Sequence, residues 1–211
     1  MKYRELLIRT AGAPVFTTGL LLAGAKSPGA VRIQLARWAV AGRVVPLRRG
    51  VYTLAEPYRR MAPHPFLVAN TLKPASYVSL QSALAHHGLI PEHVPVVTSV
   101  TTGRPEQVVT PVGAFAYRHI KAALFGGAHY ADLGNGQQAF IATPEKALLD
   151  LFYLEAGADT AAFIAELRLQ HLDRLDLITL DRISRTSNSK KLARCVHMLK
   201  HIVTDEYEEV E

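Results

Sequence analysis

The sequence predicts an α+β fold, on three observations. Residues 27–54, SPGAVRIQLARWAVAGRVVPLRRGVYTL, read as a helix, a break, and a two-stranded hairpin with paired arginines at its turn. Residues 95–102, 113–120 and 137–142 are apolar or β-branched runs of strand length, so each reads as a strand. From Thr143 onward the helical signals dominate. Together they predict a winged helix-turn-helix over residues 1–60, followed over residues 61–211 by a mixed α/β domain with a helical carboxy-terminal end.

The first half is built as follows. Leu6, Leu7 and Ile8 belong to a short first helix that ends near Gly12, and Ala13–Phe16 is an extended link. Thr17 or Thr18 caps a second helix reaching Leu22, because a threonine hydroxyl accepts an otherwise unpaired backbone N–H; Gly24 breaks it. Ser27 is the next cap, and Pro28 takes the first helical position, where its missing N–H costs nothing. This third helix runs to about Ala41 and stops at Gly42. Val31, Leu35 and Trp38 recur at helical spacing and form its buried face, which leaves Gly29, Ala30, Ile33 and Gln34 on the exposed side. Val44-Val45 and Val51–Leu54 are short β-type runs joined by Pro46–Gly50, and Gly50 supplies the positive φ such turns often need. The prolines of residues 57–65 mark the domain boundary.

In the second half a helix spans Pro65–Leu72, and Ser79 caps another from Leu80 to His87, closed by Gly88. Asn135-Gly136 is a hairpin turn ahead of the strand Gln137–Ala142. Thr143-Pro144-Glu145 opens the apolar helix KALLDLFYLEAG, which stops at Gly157 and belongs in the core. Helices follow over Thr160–Gln170, Asp176–Ser184 and Lys190–Val203, and the acidic tail Asp205–Glu211 is expected to fray.

Charge divides the chain at the same place. Residues 1–60 hold eleven cations (Lys2, Arg4, Arg9, Lys26, Arg32, Arg37, Arg43, Arg48, Arg49, Arg59, Arg60) against Glu5 and Glu56, a net +9. The whole chain is +6, so residues 61–211 carry −3. A basic head on a mildly acidic body fits a polyanion-binding module joined to a second task. The 49% hydrophobic content is enough for real cores. The apolar run Gly19–Ala25 is far shorter than the roughly 20 residues of a membrane helix, the amino terminus does not read as a secretion signal, and the single Cys195 excludes an internal disulfide framework. A cytosolic protein with no membrane partner is expected.

A recognition helix enters the major groove with its first turns towards base edges. That geometry puts Ala30, Ile33 and Gln34 near bases, and Arg32 near a guanine or a phosphate. Arg37, a turn lower, meets phosphate. Arg48 and Arg49 at the hairpin tip reach backbone or minor groove. Ser27, Thr17 and Thr18 sit at helix starts, where hydroxyls and backbone N–H groups suit phosphate.

Other chemistries find less support. His197 and His201 share a helix face, as zinc ligands can, but no carboxylate completes the pattern and Cys195 points away; no metal or other cofactor is expected. His86 and His87 read as the end of a helix, where a cationic imidazole suits the free carbonyls. Lys146 and Asp150 are four residues apart and read as an intrahelical salt bridge, with Glu145 as a helix-start charge. The opposing reading puts Asp132, Glu145, Lys146 and Asp150 around magnesium in a nuclease. Gly126-Gly127 and Gly134 lack the surrounding pattern of a phosphate-binding loop.

The motif order, carried by the stretch at 27–54, by SYVSLQSALAHHGL at 76–89 and by FIATPEKALLDLFYL at 140–154, resembles the AbiEi family of antitoxins from bacterial type IV toxin–antitoxin systems. The resemblance implies an amino-terminal winged helix that represses its own promoter, with two copies, from a monomer or weak dimer, paired on inverted repeats. It also implies a non-catalytic carboxy-terminal domain that counteracts a nucleotidyltransferase-like toxin, with or without touching it. Two rivals remain: a metal-dependent nuclease targeted by the winged helix, and a winged-helix regulator whose second domain senses a small ligand.

Overall fold

The computed structural model describes residues 1–10, 12–23, 27–92 and 94–208, the last five by backbone alone. The expected break at Gly24, the cation Lys26 and the last residues of the acidic tail lie outside the described residues. The chain is α+β with a helical carboxy-terminal end.

Residues 1–54 run α1 (Tyr3–Arg9), β1 (Phe16–Thr17), α2 (Thr18–Leu22), α3 (Pro28–Val40), β2 (Val44–Arg48) and β3 (Val51–Leu54). The three strands form an antiparallel sheet in the order β1-β3-β2. Strand β1 was read as a link, since two residues carry no periodicity; its pairing of Phe16 with Tyr52 is long-range. Strand β2 is longer than expected. It continues through Pro46 to Arg48 with a bulge between them. As an edge strand β2 tolerates Pro46, which has no N–H to give a further neighbour. Leu6, Phe16, Leu21, Val31, Leu35, Trp38, Val44 and Leu54 are the core of this half.

The second half is a six-stranded mixed sheet in the order β6-β7-β5-β4-β9-β8. Its strands are β4 (Ser76–Val78), β5 (Val96–Thr101), β6 (Glu106–Thr110), β7 (Gly113–His119), β8 (Ala128–Asp132) and β9 (Gln138–Ala142). The helices α4 (Pro65–Leu72), α5 (Leu80–His86) and α6 (Pro144–Leu154) follow the predicted spans closely. Asn135-Gly136 turns β8 into β9, both residues with positive φ. Three helices close the chain: α7 (Ala161–Glu166), α8 (Leu177–Thr186) and α9 (Lys190–Glu208). Helix α7 stops short of the expected Gln170 because Arg168 and His171 take positive φ and the Gln170 N–H bonds Leu89 O at 2.9 Å.

The hairpin packs on the second half, and the proline-rich connection between the halves is tied down beside it. Near the hairpin turn, Leu47 and Val51 belong to the larger core together with Val68 and Leu72, while Val44 and Leu54 at the other end serve the smaller one. Across the proline-rich segment, Gln137 is only 6% exposed; its Nε2 donates to Ala62 O at 3.1 Å and its Oε1 accepts from His64 N at 2.7 Å. One side chain thus pins the connection at Ala62 and His64.

Candidate nucleic-acid interface

The outer face of α3 follows from its inner one. Val31, Leu35 and Trp38 are 5%, 1% and 6% exposed and anchor the helix on the core. Side chains a half-turn away must then face solvent. Ala30, Arg32, Ile33 and Arg37 are exposed and Gln34 is half-buried. Arg37 Nη1 donates to Gln34 Oε1 at 3.4 Å, so the two form one polar flank. Ser27 stands at the cap position but its side chain makes no cap hydrogen bond; Pro28 at the first position is the starting signal that operates.

At the other helix start the expected hydroxyls are already engaged. Thr17 caps α2, its Oγ1 accepting from Leu20 N at 3.3 Å. Thr18 donates both its N–H (2.8 Å) and its hydroxyl (3.4 Å) to Gly50 O in the hairpin turn. The expectation that its N–H and hydroxyl meet a phosphate is corrected for Thr18, whose donors are both engaged; Thr17 accepts with its oxygen and keeps its own hydroxyl hydrogen to give. Both residues tie down the start of the five-residue α2, and Thr18 joins it to the hairpin.

The paired arginines have different roles. Because β2 runs on to residue 48, Arg48 is a strand residue turned towards the second half. Its Nη1 donates to Leu72 O and to Glu106 Oε1, each at 3.2 Å, and its Nη2 stands 3.1 Å from Glu106 Oε2. Lys73 Nζ bonds the same carboxylate and Arg104 O. These two cations hold the Glu106 carboxyl below its ordinary value, Lys73 contributing most. The expectation of Arg48 at a free tip is therefore corrected: both arginines are exposed, but Arg48 is paired and Arg49 stands in the turn itself. Arg32 and Arg49 have no hydrogen-bond or ion-pair partner among the described residues. Arg9 pairs with Glu5, Arg59 with Glu56, and the Arg43 guanidinium lies 5.1 Å from the Tyr3 ring centroid.

The second half holds a buried polar cluster that the sequence indicated only in part. Asp150 is 1% and Lys146 4% exposed, and they pair within α6. Asp150 Oδ2 also accepts from Ser79 Oγ at 2.8 Å and Tyr77 Oη at 3.1 Å. Burial raises the Asp150 pKa, against the opposing pull of Lys146, Ser79 and Tyr77. Burial, then the Asp150 charge, also raises that of Tyr77. Ser79 was read as a cap for α5; its hydroxyl crosses to α6 instead. Tyr77 was not singled out, because nothing local distinguishes a tyrosine in a three-residue strand. Glu145 stands in the first turn of α6 as expected, but buried there, 7% exposed and accepting the Asp176 N–H at 3.0 Å. The Lys146–Asp150 pair is thus a buried tie from α6 to β4 and α5, with no open face for a substrate among its named partners.

His86 and His87 do end α5, as its last residue and C-cap. Burial lowers the pKa of both His86 and His87, and His87 Nε2 lies 2.8 Å from Ala142 O on β9. The His87 ring is thus turned to another strand rather than to the free carbonyls of its own helix end. His197 and His201 touch on α9, with ring centroids 4.5 Å apart, and Cys195 is buried, its thiol pushed up to about 11. Among the described residues no three His, Cys, Asp or Glu side chains gather to hold a metal, and no helix is long and apolar enough to cross a membrane. A groove of about 830 Å³ lies against β5 and β7, lined by Val96, Ala116, Phe163 and Leu167 and by two ion pairs, Arg118–Glu155 and Arg168–Glu92. No protein-family model and no curated protein matches this chain.

Proposed function

We propose that the protein is a DNA-binding autorepressor and antitoxin without catalytic activity, built as a winged helix on a mixed α/β domain and related to the AbiEi antitoxins. The observation that carries the DNA-binding part is the element order α1-β1-α2-α3-β2-β3 with Arg32, Arg37 and Arg49 exposed on it. In that arrangement α3 is the recognition helix and the β2–β3 hairpin the wing. The wing contributes one arginine, since Arg48 is engaged with Glu106. Repression is steric: the bound protein occupies a promoter element, two copies on an inverted repeat. Action against a nucleotidyltransferase-like toxin rests on the likeness of residues 76–89 and 140–154 to that family, and its test is growth rescue on co-expression with such a toxin.

The DNA test is a mobility shift of the full chain on the region upstream of its own gene. The full chain is required because Leu47 and Val51 are packed in the second half's core, which a 1–60 fragment would uncover. Changing Arg32, Arg37 and Arg49 together to alanine is expected to flatten the salt dependence by ~3 units of slope, one per phosphate contact. An unchanged slope refutes this surface as the interface.

A second reading, a ligand-sensing regulator, draws on the groove of about 830 Å³, within the size range of small-molecule sites. A metabolite that raises the melting temperature and alters DNA affinity would favour it. A nuclease reading would need Lys146 and Asp150 to leave their buried pair and Asp132 its bond to the Gly134 N–H.

A further inference from the structure

The ridge of α3 that faces furthest from the core is apolar. At 3.6 residues per turn, Gly29, Ile33, Ala36 and Val40 lie opposite the buried Val31, Leu35 and Trp38. All four are exposed, and the aliphatic side chains among them are open to solvent, Ile33 at 56% and Val40 at 92%. Burying such groups is the default for a soluble helix, so a run of them aimed outward calls for an occupant.

Charge decides which occupant. The same spacing sets Arg32 roughly 80° to one side of the ridge and Arg37 roughly 60° to the other. No aspartate or glutamate occurs between Glu5 and Glu56. A second copy docking ridge to ridge would bring these arginines together with no carboxylate of either α3 to receive them. A polyanion with an apolar feature between two rows of charge fits both parts of the surface. The major groove is such a surface. It is ≈12 Å wide, admits a helix of ≈10–12 Å diameter, has phosphates along both walls, and carries one apolar group on its floor, the thymine 5-methyl.

We propose that Ile33 reads thymine methyl groups while Arg32 and Arg37 hold phosphates on opposite walls of the groove. The inference rests on the DNA-binding reading and gives it a ligand chemistry: the operator is thymine-bearing where the centre of α3 lies, and the arginines contribute grip rather than base choice.

The test compares two duplexes covering the region upstream of the gene, identical except that one carries uracil in place of every thymine. The full chain is titrated against each by fluorescence anisotropy at several salt concentrations. The expected loss on the uracil duplex is roughly fourfold for each methyl that Ile33 covers, the effect of uncovering one buried methyl, with the salt slope unchanged. Ile33→Ala, which keeps helix propensity, should bind both duplexes alike and reproduce the loss; Arg32→Ala and Arg37→Ala should weaken both equally and lower the slope. Equal affinity of the unmodified protein for the two duplexes overturns the methyl reading and leaves DNA binding intact, as does a thymine preference that survives Ile33→Ala. No binding to either duplex overturns the DNA-binding reading, and this one with it.

Discussion

Changing Asp150 to alanine isolates the physics of the buried cluster. The carboxylate is 1% exposed and receives three donors, from Lys146, Ser79 and Tyr77. Its removal leaves the Lys146 ammonium, itself 4% exposed, without a counter-charge. The Tyr77 ring, whose centroid lies 5.5 Å from that ammonium, offers only a partial substitute. Breaking a buried pair by deleting one partner costs about 3–5 kcal/mol, because the surviving charge stays desolvated. At about 2–4 °C per kcal/mol for a chain of this size, the melting temperature should fall by about 6–20 °C. The double change Lys146→Met with Asp150→Leu removes both charges and should recover most of the loss. Urea and thermal unfolding followed by circular dichroism measure both. An Asp150→Ala protein within about 1 kcal/mol of the parent refutes the structural assignment, and so does a double variant no better than the single. If stability held while magnesium-dependent DNA cleavage disappeared, the nuclease reading would be the correct one.

Two further outcomes are expected. Glu106→Gln loosens the tie between hairpin and second domain: at neutral pH it should lower stability by about 1 kcal/mol or less, as for a solvent-screened pair, and speed amide exchange at Leu47–Val51. The sign with pH is fixed by the depressed Glu106 pKa. Its stabilisation is present above the ordinary carboxylate value and lost as pH falls through the lowered one, so parent and variant should converge in acid; a gap that widens there contradicts the clamp. The adjacent arginines should separate cleanly in salt titrations of duplex binding. Arg49→Ala should lower the slope by ~1, whereas Arg48→Ala should leave it unchanged and instead reduce the melting temperature. The reverse result would place Arg48 on the DNA.

Several elements were legible because their signals are local. The start at Thr143 with Pro144 behind it, the helix starts at Thr160 and Asp176, and the Asn135-Gly136 turn each act within four residues. The buried stripe Val31, Leu35, Trp38 follows from helix periodicity alone. Strands β1, β4, β6 and β8 were missed. The first two are two and three residues long, too short for an alternating pattern, and β4 exists because β5 and β9 pair with it from either side.

The site divides along the same line. The composition of residues 1–60 determined a cationic module, and helical spacing determined which residues of α3 face outward, since both are properties of the chain itself. Only the tertiary structure decided which cations remain available. Arg48 and Arg49 are neighbours of identical chemistry, yet a bulge in β2 and a glutamate 58 residues away pair one of them and not the other. Likewise the pair Lys146 and Asp150 was visible as four-residue spacing, but its burial depends on Tyr77 and Ser79 brought in by the sheet. Periodicity fixes the direction of a side chain relative to its own helix; what meets it there is set by chain segments whose positions no local pattern encodes.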